Sequence, residues 1–313
     1  MTFPFFPTAA SSTALKVDQI YFALLVFSVV VLGIVFVPMV YFLFKFRRGK
    51  KANRKQISLP TNKIEITWTL IPTFLAMGLF AWGADKYFFQ EVPPANTLNI
   101  NVIGKQWMWK IQHQEGNREI NELHIPVNRA VKLTLASEDV IHSFYIPAFR
   151  VKQDVVPGRF LTEWFKPIRI GKYHFYCSEY CGADHAKMRG FVYVMTPPAY
   201  AAWLARNKPQ NTLAQSGAIL FRELGCSGCH VNNSAVHAPP LEGLYGRMLP
   251  LSDGAFVKAD DKYIHDKIFF PSSEVPAGYQ PVMPSFRGRV TEAQVLELVA
   301  YIQSIANEPP PQK

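Results

Sequence analysis

Cys177-Ser178-Glu179-Tyr180-Cys181-Gly182-Ala183-Asp184-His185-Ala186-Lys187-Met188 holds two thiols, an imidazole and a thioether within one short stretch. That soft donor set favours copper over magnesium or calcium. Cysteines four apart on a loop can turn both sulfurs into one space and bridge two metal ions. His185 and Met188 would cap from the same loop, and the second metal then needs a histidine from a neighbouring strand. His142, in Asp139-Val140-Ile141-His142-Ser143-Phe144, fits: it sits among apolar residues beside a turn, where a free imidazole would be poorly satisfied. His174 alternates with Tyr173 and Phe175, which places it on a half-exposed strand position instead. Three other readings of the loop stand beside copper, one of them an inert buried cluster. A tetrahedral zinc site of two cysteines and two histidines leaves Met188 unused. A Cys177–Cys181 disulfide leaves His185 unused.

The residues around the loop read as strands. Leu98, Ile100 and Val102 alternate with asparagines, and Val131, Leu133 and Leu135 alternate with Lys132 and Thr134. Short runs follow at Phe160–Phe165, Lys172–Tyr176 and Phe191–Met195, separated by the turn pairs Pro157-Gly158 and Ile170-Gly171. Regular strands over this length make a small β-sandwich or barrel. A helical stretch at Pro198–Ala205 leads through Asn207-Lys208-Pro209 into a different composition.

There Cys226-Ser227-Gly228-Cys229-His230 is the attachment pattern of a covalent c-type haem. The thiols bond the porphyrin vinyl groups and the histidine meets one face of the iron. A thioredoxin-like site or half a zinc ribbon would also use Cys-x-x-Cys, but neither needs His230, and no further cysteine pair completes a ribbon. The sixth ligand must come from downstream, and methionine raises the iron's potential. Met283, in Pro281-Val282-Met283-Pro284, is preferred because prolines stiffen its loop; Met248, His237 and His265 are weaker choices. Leu213, Ala218, Phe221 and Leu224 suggest a short helix ending just before Cys226. Thr291 and Gln294 cap a last helix with apolar positions Val295, Leu298, Val299, Ile302 and Ile305.

Upstream, the composition points to lipid. The 313 residues are 49% hydrophobic and only 18% charged. Ile20–Phe44 is an uncharged run long enough to cross about 30 Å of hydrocarbon, and Ile66–Ala84 is a second, with Trp68 and Trp82 near its ends. Met1–Ala14 carries no positive charge, the apolar run after it is too long and no small-residue cleavage site follows, which argues against a signal peptide. Lys45, Arg47, Arg48, Lys50, Lys51, Arg54, Lys55 and Lys63 lie between the spans and leave only +2 of the formal +10 for the rest. A basic face for nucleic acid is thereby excluded. Short basic loops stay cytoplasmic, so both termini are expected on the outer, periplasmic side of a bacterial inner membrane.

The spacing Cys-x-Glu-x-Cys-Gly-x-x-His-x-x-Met resembles the dinuclear copper centre (CuA) of cytochrome c oxidase subunit II. The resemblance covers residues 20–198 and includes Glu65-Ile66-Thr67-Trp68-Thr69-Leu70-Ile71-Pro72, Gly104-Lys105-Gln106-Trp107-Met108-Trp109 and Pro157-Gly158-Arg159. Residues 213–307 resemble a class I cytochrome c. The fold class this implies is a membrane-anchored multidomain chain. A two-helix transmembrane hairpin occupies 1–94, an all-β cupredoxin sandwich 95–200, and an all-α cytochrome c domain 209–308, followed by a frayed tail at 309–313. By the resemblance Cys177 and Cys181 bridge two coppers, His142 and His185 bind one each, Met188 is a weak ligand, and Glu179 ligates through its carbonyl. The Glu179 side chain would help hold magnesium shared with the catalytic subunit. Trp107 matches an electron-entry tryptophan, and Glu65 a carboxylate at the mouth of a proton pathway. Cys226, Cys229, His230 and Met283 would bind haem c.

No nucleophile–base pair, phosphate loop or paired carboxylates appears at a convincing spacing. One-electron transfer is the expected chemistry, with the haem domain as a tethered donor. The resemblance implies an electron-input subunit of a proton-pumping haem-copper terminal oxidase. Its partners would be the catalytic subunit I and other oxidase subunits, membrane lipid, and an upstream donor such as a quinol-oxidising complex or small cytochrome. A copper-dependent nitric oxide reductase subunit and a stand-alone membrane-anchored carrier are the alternatives.

Overall fold

The computed structural model describes residues 6–51, 60–230, 236 and 238–306. Arg54 and Lys55 of the basic segment, His237 and the tail Glu308–Lys313 lie outside the described residues. The chain divides into two compact units, Thr13–Val92, and Met1–Ser12 together with Pro93–Lys313.

The first unit consists of α1 (Ser12–Lys45) and α2 (Thr61–Glu91). Both helices run past the apolar stretches seen in the sequence, because Lys16, Asp18 and Lys86 are tolerated at helix ends where they reach water. The two helices meet where the Thr13 hydroxyl donates to Gln90 Oε1 at 3.2 Å and Lys16 Nζ lies 3.4 Å from the Phe89 ring centroid. Their apolar side chains are uncovered by protein, Ile34 at 68% and Phe80 at 76% exposed. Such a surface needs lipid or another apolar partner.

The second unit begins with a β-sandwich. Its strands are β1 (Leu98–Lys105), β2 (Met108–His113), β3 (Arg118–Ile120), β4 (Glu122–Pro126), β5 (Val131–Ser137), β6 (His142–Ile146), β7 (Val151–Val155), β8 (Leu161–Phe165), β9 (Gly171–Cys177) and β10 (Arg189–Met195). One sheet has the order β3-β2-β1-β5-β8 and the other β4-β10-β9-β6-β7. Strands β1 and β5 run parallel, as do β4 and β10, and the remaining pairs are antiparallel. The alternating apolar positions Leu98, Ile100, Val102, Val131, Leu133 and Leu135 face one core with Phe144, Phe175 and Val192. The N-terminal stretch, grouped with the hairpin from the sequence, adds to this sandwich: Ala10 exchanges backbone hydrogen bonds with Ala148 and Ile168, each 2.8 Å.

Helix α3 (Pro197–Arg206) leads to α4 (Leu213–Glu223), a small hairpin of β11 (Met248–Pro250) and β12 (Phe256–Lys258), α5 (Asp261–Phe269) and α6 (Glu292–Ser304). Capping boxes start α4 at Thr212/Gln215 and α6 at Thr291/Gln294. Helices α4 and α6 cross at Gly217, where a Cβ would stand 1.9 Å from the Glu297 carbonyl oxygen. Only glycine permits so close a crossing.

Candidate metal centre and haem cavity

The soft loop closes over the end of the second sheet. Pairing of β6 with β9 sets Phe144 opposite Cys177, which brings His142 and Cys177 to the same end of the sandwich. The Cys177 N–H donates to the Met188 carbonyl at 2.9 Å and the Ser178 N–H to Ser143 O at 2.9 Å, so the loop returns on itself. Gly182 takes φ +119°, where a Cβ would press on Gln106 Nε2 and the Trp107 ring. Glycine is the residue suited to that backbone.

The donors converge. Cys177 Sγ and Cys181 Sγ stand 3.8 Å apart, far beyond the roughly 2.05 Å of a disulfide. His142 Nδ1 is 3.9 Å from Cys177 Sγ, His185 Nδ1 is 3.4 Å from Cys181 Sγ, and Met188 Sδ is 3.7 Å from Cys181 Sγ. The Glu179 carbonyl oxygen lies 3.1 Å from Cys177 Sγ, while its side chain is exposed. His142, Cys177, Cys181 and Met188 are all buried. Two buried, unbonded thiols flanked by imidazoles and a thioether form a donor set for soft or borderline metal, and Met188 has a place in it.

Asp139 Oδ1 accepts from His142 Nε2 at 2.8 Å. A carboxylate accepts, so the proton sits on Nε2 and the Nδ1 lone pair faces the sulfurs. Asp139 is itself held by the Gln106 and Val140 N–H groups, both at 2.7 Å. The sequence reading assigned Asp139 no role; its place three residues before His142 was the available signal. Burial would raise the Cys177 thiol, but contacts with His142 and the Ser143 and Glu179 backbone outweigh it and favour thiolate. Burial and the adjacent Cys177 charge push Cys181 upward. Bound metal would offset both.

Trp107 lies beside the loop, its indole N–H donating to Cys181 O at 3.2 Å; Gln106 Nε2 donates to the same oxygen at 2.8 Å. His174 is exposed and packs against Tyr176 and Phe191 on the outer sheet face. Glu65 belongs to α2 and is exposed. A buried carboxylate the sequence reading passed over, Glu119, accepts from His113 Nε2 at 2.8 Å and also bonds His124 Nδ1. Burial would raise its pKa, but these two imidazoles outweigh that and hold it below the usual range. His124 stacks on Trp203 at 4.6 Å, so this network fastens α3 to the sandwich.

In the helical part, Cys226, Cys229, His230 and Met283 line one cavity of about 500 Å³ with Phe221, Leu244, Ile264, Leu298 and other apolar side chains. That volume and lining suit a large planar apolar ligand. His230 Nδ1 lies 2.9 Å from Pro239 O. A carbonyl only accepts, so Nδ1 carries the proton and Nε2 is left with the lone pair for iron. Met248 lies outside the lining and is 60% exposed. His265 is fully buried and engaged by Glu292 Oε2 at 3.1 Å and Asp266 Oδ1 at 2.9 Å.

Three family models match the chain. "Cytochrome C oxidase subunit II, transmembrane domain" matches residues 2–82, "Cytochrome C oxidase subunit II, periplasmic domain" 117–194, and "Cytochrome c" 214–306. A protein of Alkalihalophilus pseudofirmus named cytochrome c oxidase subunit 2 is 31% identical over 295 residues, 89% of this chain and 82% of the relative. A Synechocystis protein of the same name is 30% identical, covering 66% of this chain and 76% of the relative. An alternative cytochrome c oxidase subunit 2 of Bradyrhizobium diazoefficiens is 32% identical, covering 60% and 80%.

Proposed function

Because the chain belongs to the cytochrome c oxidase subunit II family and carries a C-terminal cytochrome c domain, we propose that it is the electron-input subunit of its oxidase. It is a membrane-anchored subunit of a haem-copper oxidase. In this reading the helical domain receives electrons, the sandwich relays them, and a catalytic partner subunit reduces oxygen. Bound haem would supply a one-electron iron couple, and a bound copper pair a one-electron couple with little change of geometry. The observation that carries the reading is the convergence of Cys177, Cys181, His142, His185 and Met188 on one buried point.

The chain's own residues prepare that point. Cys177, Cys181, His142, His185, Met188 and the Glu179 carbonyl would hold the metals, the histidines through Nδ1. Asp139 orients His142. Cys226 and Cys229 would bond the porphyrin, and His230 and Met283 would hold its iron. Trp107 would be an electron-entry residue beside the loop, Glu65 the mouth of a proton path in the partner, and the Glu179 carboxylate a magnesium ligand shared with that partner. The basic loop supports a reading with both termini outside a bacterial inner membrane, where an upstream donor such as a quinol-oxidising complex or small cytochrome would reach the helical domain. The relatives' names favour oxygen over nitric oxide as the final acceptor.

Metal and haem analysis of the purified full chain tests the reading. Two coppers per covalent haem, with an electron-spin spectrum of one electron shared between both coppers, are expected. A lone zinc ion, or one cupric ion with an isolated spin, would refute it.

A further inference from the structure

The helical domain does not hang on a free leash. Among the residues of β1 and β5 that point away from the sandwich core, Asn101, Ile103, Thr134 and Ala136 are buried. Ile103 and Ala136, paired across the two strands, share a buried cluster with Phe160, Ile264, Leu296 and Val299 of the joint interface. At the rim Lys132 pairs with Asp261 at 3.2 Å and Arg118 pairs with Glu297. The connection is pinned as well: Asn117 Nδ2 donates to Leu204 O at 3.3 Å and to Asn207 O at 2.8 Å. Gly116 leaves room for Asn211 O, which would stand 2.2 Å from a Cβ there.

Gly104, the next residue after Ile103, faces the opposite way. A Cβ on it would stand 2.8 Å from His142 Cδ2 and 3.2 Å from the Trp109 ring. One peptide unit of β1 is thus walled by the helical domain on one side and by the His142 ring on the other. Trp107 is placed differently. It packs against the sandwich's own core and bonds Cys181 O. Among the described residues no hydrogen bond, ion pair or buried cluster joins it to the helical domain.

We infer that the fused haem domain feeds the copper centre across strand β1, at Ile103–Gly104 and His142, and that Trp107 serves only donors arriving from outside the chain. This rests on the electron-transfer reading above. The step is a bare one-electron exchange: ferrous iron becomes ferric as the oxidised copper pair gains that electron, with no bond or proton changed. Fixed docking supports it, since a relay gains from held geometry rather than from diffusion.

The test uses the full chain loaded with copper and haem. The haem is reduced by one electron from an added flash-excited ruthenium photoreductant, and the copper absorbance is followed without oxidase turnover. Two interface variants are compared with Trp107→Phe: Ile103→Ala with Phe160→Ala, and Arg118→Glu with Lys132→Glu, which alters only the rim. Hydrogen exchange at the β1 amides reports whether the domain has undocked, and the copper spin spectrum reports an intact centre. Lost positioning predicts internal exchange at least about tenfold slower in both interface variants, and within about twofold of the parent in Trp107→Phe. The inference falls if Trp107→Phe slows exchange as much as the interface variants, or if undocked variants exchange at the parent rate. If the parent chain lacked the shared-spin copper spectrum or the covalent haem band, the electron-transfer reading itself would fall with it.

Discussion

At the scale of single residues, the centre depends on side chains that touch no metal themselves. Asp139 fixes the tautomer of His142 from three residues away, and such partners typically contribute about tenfold to a hundredfold in metal affinity. Asp139→Ala is therefore expected to weaken copper binding by about that factor, read by titration with a competing chelator; unchanged affinity would remove its orienting role. Met283 is the methionine that lines the haem cavity, whereas Met248 is exposed. Thioether ligation raises an iron potential, so Met283→His should lower the midpoint in a potentiometric titration, and Met248→Leu should leave it unmoved. The thiols, His142, His185 and Met188 were singled out from residue type and spacing, and the fold brings them together. Asp139 and Gly104 were not, because their roles exist only where separate strands meet.

At the scale of elements, the amphipathic patterns marked where strands and the last helix lie. The Thr291/Gln294 capping box stands where the sequence placed it. What could not be read was the closeness of α4 to α6, which depends on a missing side chain at Gly217. Gly217→Ala is expected to destabilise the helical domain by about 1–3 kcal/mol, since overpacking forces backbone shifts. Thermal unfolding of the holo chain, followed at the haem band, measures this; an unshifted transition would mean the crossing is loose. The polar alternation of β1 and β5 reads as a solvent face, yet Asn101 and Thr134 are buried beneath helices. Period-two patterning tells which residues share a face, not what covers it.

At the scale of the whole molecule, the chain's hydrophobic spans, its basic loop and its two cysteine pairs made its three-part organisation legible. The tethered haem domain expected from the sequence also packs against the sandwich, and its stability is expected to depend on pH. His265 lies 4.3 Å from Phe160, ring to ring, and is held between Glu292 and Asp266. Burial would lower its pKa, but those two carboxylates outweigh it and raise it above 6.5. Its folded value exceeds its unfolded one, so its contribution is full below the ordinary value and fades as pH rises through the elevated one. Unfolding midpoints should fall as pH rises above the ordinary imidazole value in the parent and less so in His265→Gln; parallel pH profiles would contradict this. The candidate donor residues, the apolar spans and the strand periodicity were carried by the sequence itself, because each is written in neighbouring residues. Tertiary structure alone decided that Ile103 is covered, that His142 rests on Gly104, and that Trp107 stays outside the domain interface. Those facts depend on contacts between residues remote in the chain, and no local pattern encodes which surfaces will meet.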